Sequence, residues 1–165
     1  MTSRMLRAVA LTAVLAFPRM AGAFGIMTTN DGEVIRWDHS DLTYYLDPVG
    51  PTDVTDGSDI DAIEESFDDW QAVSCSALTF QKLGSTSNKD VLPISEEMND
   101  RNELVWVNNS KWPFGQYVLG VTMPVSYGGT IVEADIAFNG YSQEWTTSPD
   151  GYRCDVKSVT IHELG

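Results

Sequence analysis

The residues with the clearest chemistry are His162 and Glu163, which stand side by side in the stretch Ile161-His162-Glu163-Leu164-Gly165. His-Glu opens the pattern H-E-x-x-H, in which two histidines on a helix bind one zinc ion beside a glutamate base. Residues four apart on a helix lie on the same face, so such a pair can share a metal. Zinc takes neutral imidazole ligands, and a catalytic site keeps one position open for water. In that chemistry His162 is a zinc ligand. Glu163 is the general base toward the zinc-bound water and then carries the proton to the leaving group. The second histidine of the pattern would be the residue after Gly165. The expectation is therefore an N-terminal part of a domain that stops inside its metal motif. Against it stands a plainer possibility, an ordinary histidine near a helix end.

Other candidate groups are fewer. Cys75 and Cys154 are the two cysteines. In an exported chain an even count suggests a disulfide, and two cysteines allow one intramolecular pairing. Closing a loop of that size, about 80 residues, is worth about 4.5 kcal/mol by loop-entropy arithmetic. Asp53, Asp56 and Asp59 could face a calcium ion but lack the spacing of an EF-hand loop. His39, the only other histidine, lies before the first strand-like run and reads as solvent-facing.

The front of the chain supports export. Arg4 and Arg7 precede an apolar run at residues 8–18, and Ala21-Gly22-Ala23 is a small-residue cleavage pattern. That is the layout of a signal peptide, and the run is too short to span a bilayer. Residues 1–23 are read as a signal peptide and 24–165 as the exported, secreted part. Removing the first 23 residues leaves 7 basic against 24 acidic residues, a formal charge of −17. So acidic a chain is not expected to bind nucleic acid or an anionic membrane, both of which are negative. Apolar content of 42% suits a packed core.

Several elements must position the His-Glu pair. Residues 42–46 (LTYYL) read as a β-strand, ended by Asp47-Pro48 and Gly50-Pro51. A helix follows, with Ser58 as expected N-cap and Ile60, Ile63, Phe67 and Trp70 on one apolar face. Its other face carries Asp61, Glu64, Glu65, Asp68 and Asp69, a solvated surface. Strands are expected at 78–81, 91–94 and 103–107, with a polar loop at 84–90. The run 118–125 (VLGVTMPV) is extended; Pro124 forbids one ladder bond, so an edge position fits. Val132, Ala134, Ile136 and Phe138 alternate with Glu133, Asp135, Ala137 and Asn139, predicting a strand with one buried face. Residues 140–152 form a loop anchored by Trp145, and Asp155 is the expected N-cap of the final helix.

Taken in order, these elements resemble the N-terminal subdomain of a matrixin-type zinc metalloprotease, within the metzincin group. Residues 62–80 (AIEESFDDWQAVSCSALTF) are similar to that family's first helix and second strand. Residues 118–125 resemble its edge strand, 134–146 (ADIAFNGYSQEWT) its next strand with a trailing Trp-Thr, and 158–165 (SVTIHELG) the run into its active-site helix. The resemblance covers about residues 42–165. It implies an α+β zincin-like subdomain: a twisted mixed sheet of about five strands and two helices, the second being the active-site helix. It also implies one catalytic zinc held by His162 and two later histidines. The substrate would be a protein or peptide lying along Leu119, Gly120, Val121, Thr122 and Met123. A monomer is expected.

Departures from the family pattern shape further expectations. Ala137 stands where the family often has a histidine for a structural zinc, so no structural zinc site is expected. Asn139 replaces a calcium-binding acid; Asp135 matches but is a single carboxylate, so calcium is not expected either. No cysteine lies in residues 24–41, which leaves no cysteine-switch latency. The expected function is a secreted zinc metalloendopeptidase, inactive as this chain alone. The alternatives are a secreted zincin-like binding module without catalysis, and an unrelated secreted α+β protein.

Overall fold

The computed structural model describes residues 26–86 and 98–165. Residues 1–23, expected to be a signal peptide, and the strand expected at 91–94 lie outside the described residues.

The aromatic run becomes β1 (Asp41–Leu46), whose Leu42, Tyr44 and Leu46 are buried. It sits inside the sheet, parallel to β2 (Thr79–Ser85) on one side and to β3 (Asn102–Val107) on the other. Parallel neighbours need a crossover, and α1 (Ser58–Gln71) provides it between β1 and β2. β3 pairs in parallel with β5 (Thr130–Asn139), and β4 (Gly120–Tyr127) pairs antiparallel with β5 alone. The order β2-β1-β3-β5-β4 makes a mixed five-stranded sheet with β4 at an edge. β4 and β5 are joined through Gly128 and Gly129, both at positive φ (57° and 86°). Such a two-residue hairpin turn needs that backbone at both positions, and glycine adopts it without strain. A short parallel pair, β6 (Trp145–Thr146) and β7 (Cys154–Asp155), leads into α2 (Val156–Leu164). The α+β class, the mixed sheet and the two helices agree with expectation.

Both sheet faces are covered. On the helix face Tyr44 stacks on Phe67, and Trp145 meets Trp106 edge to face, with ring centres 3.9 and 4.8 Å apart. Ile63, Phe138 and Val156 fill the space between them. On the other face Val105, Val107 and Ala137 lie under Trp112, whose indole N–H donates to the Gly115 carbonyl.

Several local expectations change. The α1 N-cap is Gly57, in a left-handed conformation; Ser58 is the first helical residue, and its N–H donates to Asp56 Oδ1. β2 runs on through Gly84 and Ser85, where a loop is expected, because β1 continues to pair with it past a bulge. β4 starts at Gly120, one residue beyond Leu119. β5 does not bury one face only: Val132 is 38% exposed, whereas Glu133 and Asp135 are 1% and 4% exposed. The alternation alone predicts apolar inward and acidic outward, but the sheet's second face is also covered.

The expected disulfide is absent: Cys75 and Cys154 are both free thiols. Cys154 pairs with Trp145, whose N–H donates to Asp53 Oδ2 ahead of α1. Cys75 follows the C-terminal end of α1. The 14-residue helix between these anchor points is about 20 Å long at 1.5 Å per residue. A disulfide needs Cα atoms roughly 4.4–6.8 Å apart. Thiol titration of the folded chain should count two reactive groups, exposed Cys75 faster than half-buried Cys154. Cys75→Ser should change stability by less than about 0.5 kcal/mol in urea unfolding. One or no titratable thiol would contradict this placement.

Candidate active site

The His-Glu pair sits in the last turn of α2, and that helix is held at several points. Asp155 caps it as expected, its Oδ2 accepting from Ser158 N at 2.9 Å. Val156 and Thr160 are fully buried. The Trp70 indole N–H donates to the Ile161 carbonyl at 3.1 Å, one residue before His162. Lys157 lies 3.1 Å from Glu65 and 3.0 Å from Asp69, so part of the acidic face of α1 pairs with α2. These contacts set the rotation and height of α2, and with them the position of its last turn.

That turn meets the edge strand. Thr122 Oγ1 lies 2.8 Å from Glu163 Oε2 and 2.7 Å from the Glu163 carbonyl oxygen. A hydroxyl has one proton, so it donates to one of these at a time. Gly120 is as close: a Cβ there would stand 3.0 Å from Glu163 Cγ and Oε1. His162 is exposed. The pair lines a groove of about 640 Å³ floored by Leu42, Tyr44, Phe67 and Ile136, with Trp37 from the lead-in segment on another wall.

The five expected edge residues separate. Asn139 N donates to the Leu119 carbonyl at 2.8 Å, which sets the hydrogen-bonding parity of the β4–β5 ladder. In an antiparallel pair, alternate residues bond across and the others turn outward. Gly120, Thr122 and Pro124 therefore direct their main-chain groups to the free edge. Pro124 costs no ladder bond, contrary to expectation, because its position faces outward. The side chains of Gly120's neighbour Val121 and of Met123 pack on the opposite sheet face. Leu119 packs against the main core. Only Gly120 and Thr122 meet Glu163. Thr122 was legible as a strand residue, but nothing in the sequence marks its hydroxyl as the partner of Glu163.

A second polar group went unseen in the sequence. Glu103, Glu133 and Asp135 are all buried between β3 and β5. Asp135 Oδ1 accepts from Glu103 N at 2.8 Å, Glu133 Oε2 from Asn99 N at 2.9 Å, and Glu103 Oε1 from Thr86 Oγ1 at 2.5 Å. Burial pushes the Asp135 carboxyl up to about 7, and the neighbouring Glu133 and Glu103 charges add to this. A carboxyl raised in the folded state binds its proton more tightly there than when unfolded. Its stabilising effect is thus complete at acid pH and lost as pH rises from about 4 to about 7. Asp135→Asn should flatten that slope and stabilise the fold by about 2–4 kcal/mol at pH 8. Urea midpoints at pH 5 and pH 8, with chelator present, measure this; an unchanged slope would count against it.

The other candidates have separate duties. Asp53 accepts from Trp145 N, Asp56 from Ser58, and Asp59 is buried against Gly50; Asp53 and Asp56 line one surface pocket, and Asp59 is not among its lining residues. Asn139 holds a loop: its Oδ1 accepts from Ser142 N and its Nδ2 donates to the Val118 carbonyl. His39 is exposed and lies 2.5 Å from Asp38. Among the described residues no three His, Cys, Asp or Glu side chains converge as a metal-binding group. A catalytic zinc takes three protein ligands, of which the expectation names His162 alone in this chain. Among the described residues, too, no helix is long and apolar enough to cross a membrane.

No protein-family model matches the chain, and no curated protein does.

Proposed function

We propose that the chain is the N-terminal part of the catalytic domain of a secreted, matrixin-type zinc metalloendopeptidase. The observation that carries this is the Glu163 carboxylate lying 2.8 Å from Thr122 on the free edge of β4, at the rim of an apolar groove. An extended peptide can add to such an edge, with main-chain bonds giving affinity and pockets giving selectivity. Gly120 and Thr122 supply outward main-chain groups for it. Glu163 stands beside that line, where it can take a proton and return it to the departing amine. His162 supplies one zinc ligand, and two more histidines would have to come from sequence after Gly165. The acidic charge disfavours nucleic acid and anionic membranes as partners.

The test begins with the codons that follow Gly165 in the parent gene. The full pattern places a histidine directly after Gly165 and another six residues later. Protein carrying that continuation should bind zinc stoichiometrically and cleave an internally quenched peptide in a chelator-sensitive way, while residues 24–165 alone should do neither. Missing histidines would favour the non-catalytic binding module. Tight zinc binding with turnover by residues 24–165 would overturn the claim that this part is incomplete.

A further inference from the structure

Residues two apart on a strand point to the same face. Gly120 and Thr122 are such a pair, and both face Glu163. We propose that they form a positioning cradle for the Glu163 carboxylate. Gly120 contributes by having no side chain: a Cβ there would crowd Glu163 Cγ and Oε1 at 3.0 Å. Thr122 contributes its hydroxyl, 2.8 Å from Oε2, in a charge-assisted hydrogen bond. Its β-branched side chain has restricted χ1 freedom, and the Glu163 carbonyl, 2.7 Å away, is the alternative acceptor for the same proton, so both acceptors within reach of the hydroxyl belong to Glu163. A glutamate side chain is otherwise free to sample many rotamers. Here one oxygen is held by a hydroxyl and the other lies over a glycine.

The cradle rests on the peptidase reading for its catalytic meaning. Granted that, a three-residue piece of β4 does two jobs. Its outward main-chain groups seat the peptide, and its inward face aims the base. Docking and base placement then share one rigid element, which suits a reaction sensitive to sub-ångström alignment. Thr122 acts through Glu163 and is a positioning residue.

The experiment uses zinc-loaded full-length protein and three variants. Thr122→Val removes the hydroxyl and keeps the shape, Thr122→Ser returns the hydroxyl, and Gly120→Ala adds the crowding Cβ. The valine and alanine variants should lower kcat on the order of 10-fold with KM for a quenched peptide changed less than about twofold. Serine should recover kcat to within about threefold of wild type. A loss confined to KM, or a serine variant no better than valine, would overturn the cradle. If wild type shows no hydrolysis, the peptidase reading fails, and the cradle is judged by thermal unfolding of the same protein. Thr122→Val should then lower Tm more in the presence of Glu163 than in a Glu163→Ala background. Equal losses in the two backgrounds would sink it.

Discussion

Glu163→Gln in zinc-loaded full-length protein should, on the proposed peptidase reading, reduce kcat/KM for peptide hydrolysis by about 10²–10⁴-fold, the usual contribution of a positioned general base. Glutamine keeps the size of the side chain, and its amide oxygen can still accept from Thr122 Oγ1, so the cradle stays filled. What it loses is the ability to take a proton. The variant should therefore bind zinc as wild type does, because His162 is untouched, and should unfold at nearly the same temperature. A variant that keeps more than about a tenth of wild-type kcat/KM would remove Glu163 from the role of base. Loss of zinc binding or of folding would show that the side chain serves the structure and not the reaction.

Trp145→Ala should destabilise the fold by about 3–5 kcal/mol, the range for truncating a fully buried large aromatic. Trp145 is 0% exposed, and its ring meets Trp106 at 4.8 Å and Phe138 at 6.1 Å. Its indole N–H donates to the Asn139 carbonyl at the end of β5. Truncation leaves a cavity and also an acceptor without its donor, two costs that compound. The effect should reach the candidate site. Trp145 pairs with Cys154, directly before the Asp155 cap of α2, so loosening it loosens the helix that carries His162 and Glu163. Urea unfolding measures the stability, and amide exchange at Thr160 and Ile161 measures the fraying. A loss below about 1 kcal/mol would mean that the cluster can collapse around the gap.

Much of this architecture was legible locally. The apolar spacing from Ile60 to Phe67 marks a helix whichever partner it meets, because its face must be buried somewhere. Asp155 reads as a cap because its carboxylate can satisfy N–H groups that the helix leaves open, and Ser158 N is the one it takes. Pro124 points to an edge strand, and β4 is at an edge, although the ladder parity behind it differs from the simplest account.

The places where expectation failed share one cause. Glu133 and Asp135 look solvent-facing in a period-two pattern, since the pattern says which residues share a face and not what covers it. The loop with Trp112 covers the far face near Ala137, and Asn99 and Thr86 donate hydrogen bonds to Glu133 and Glu103. Cys75 and Cys154 look like partners only while α1 is left out of the picture.

The sequence by itself determined the two helices, the strands of the main sheet, the α+β class, and an adjacent histidine and glutamate at the end of a capped helix; it did not show β6, which falls inside the expected loop 140–152. These follow from local periodicity, capping chemistry and side-chain identity, which act over a few residues. The tertiary structure decided that Glu163 meets Gly120 and Thr122, more than 40 residues back in the chain, and that Val121 between them faces away. That depends on strand register and on how α2 is rotated by Trp70, Val156 and Lys157. Such long-range choices are made by packing between distant segments, and no local pattern specifies them.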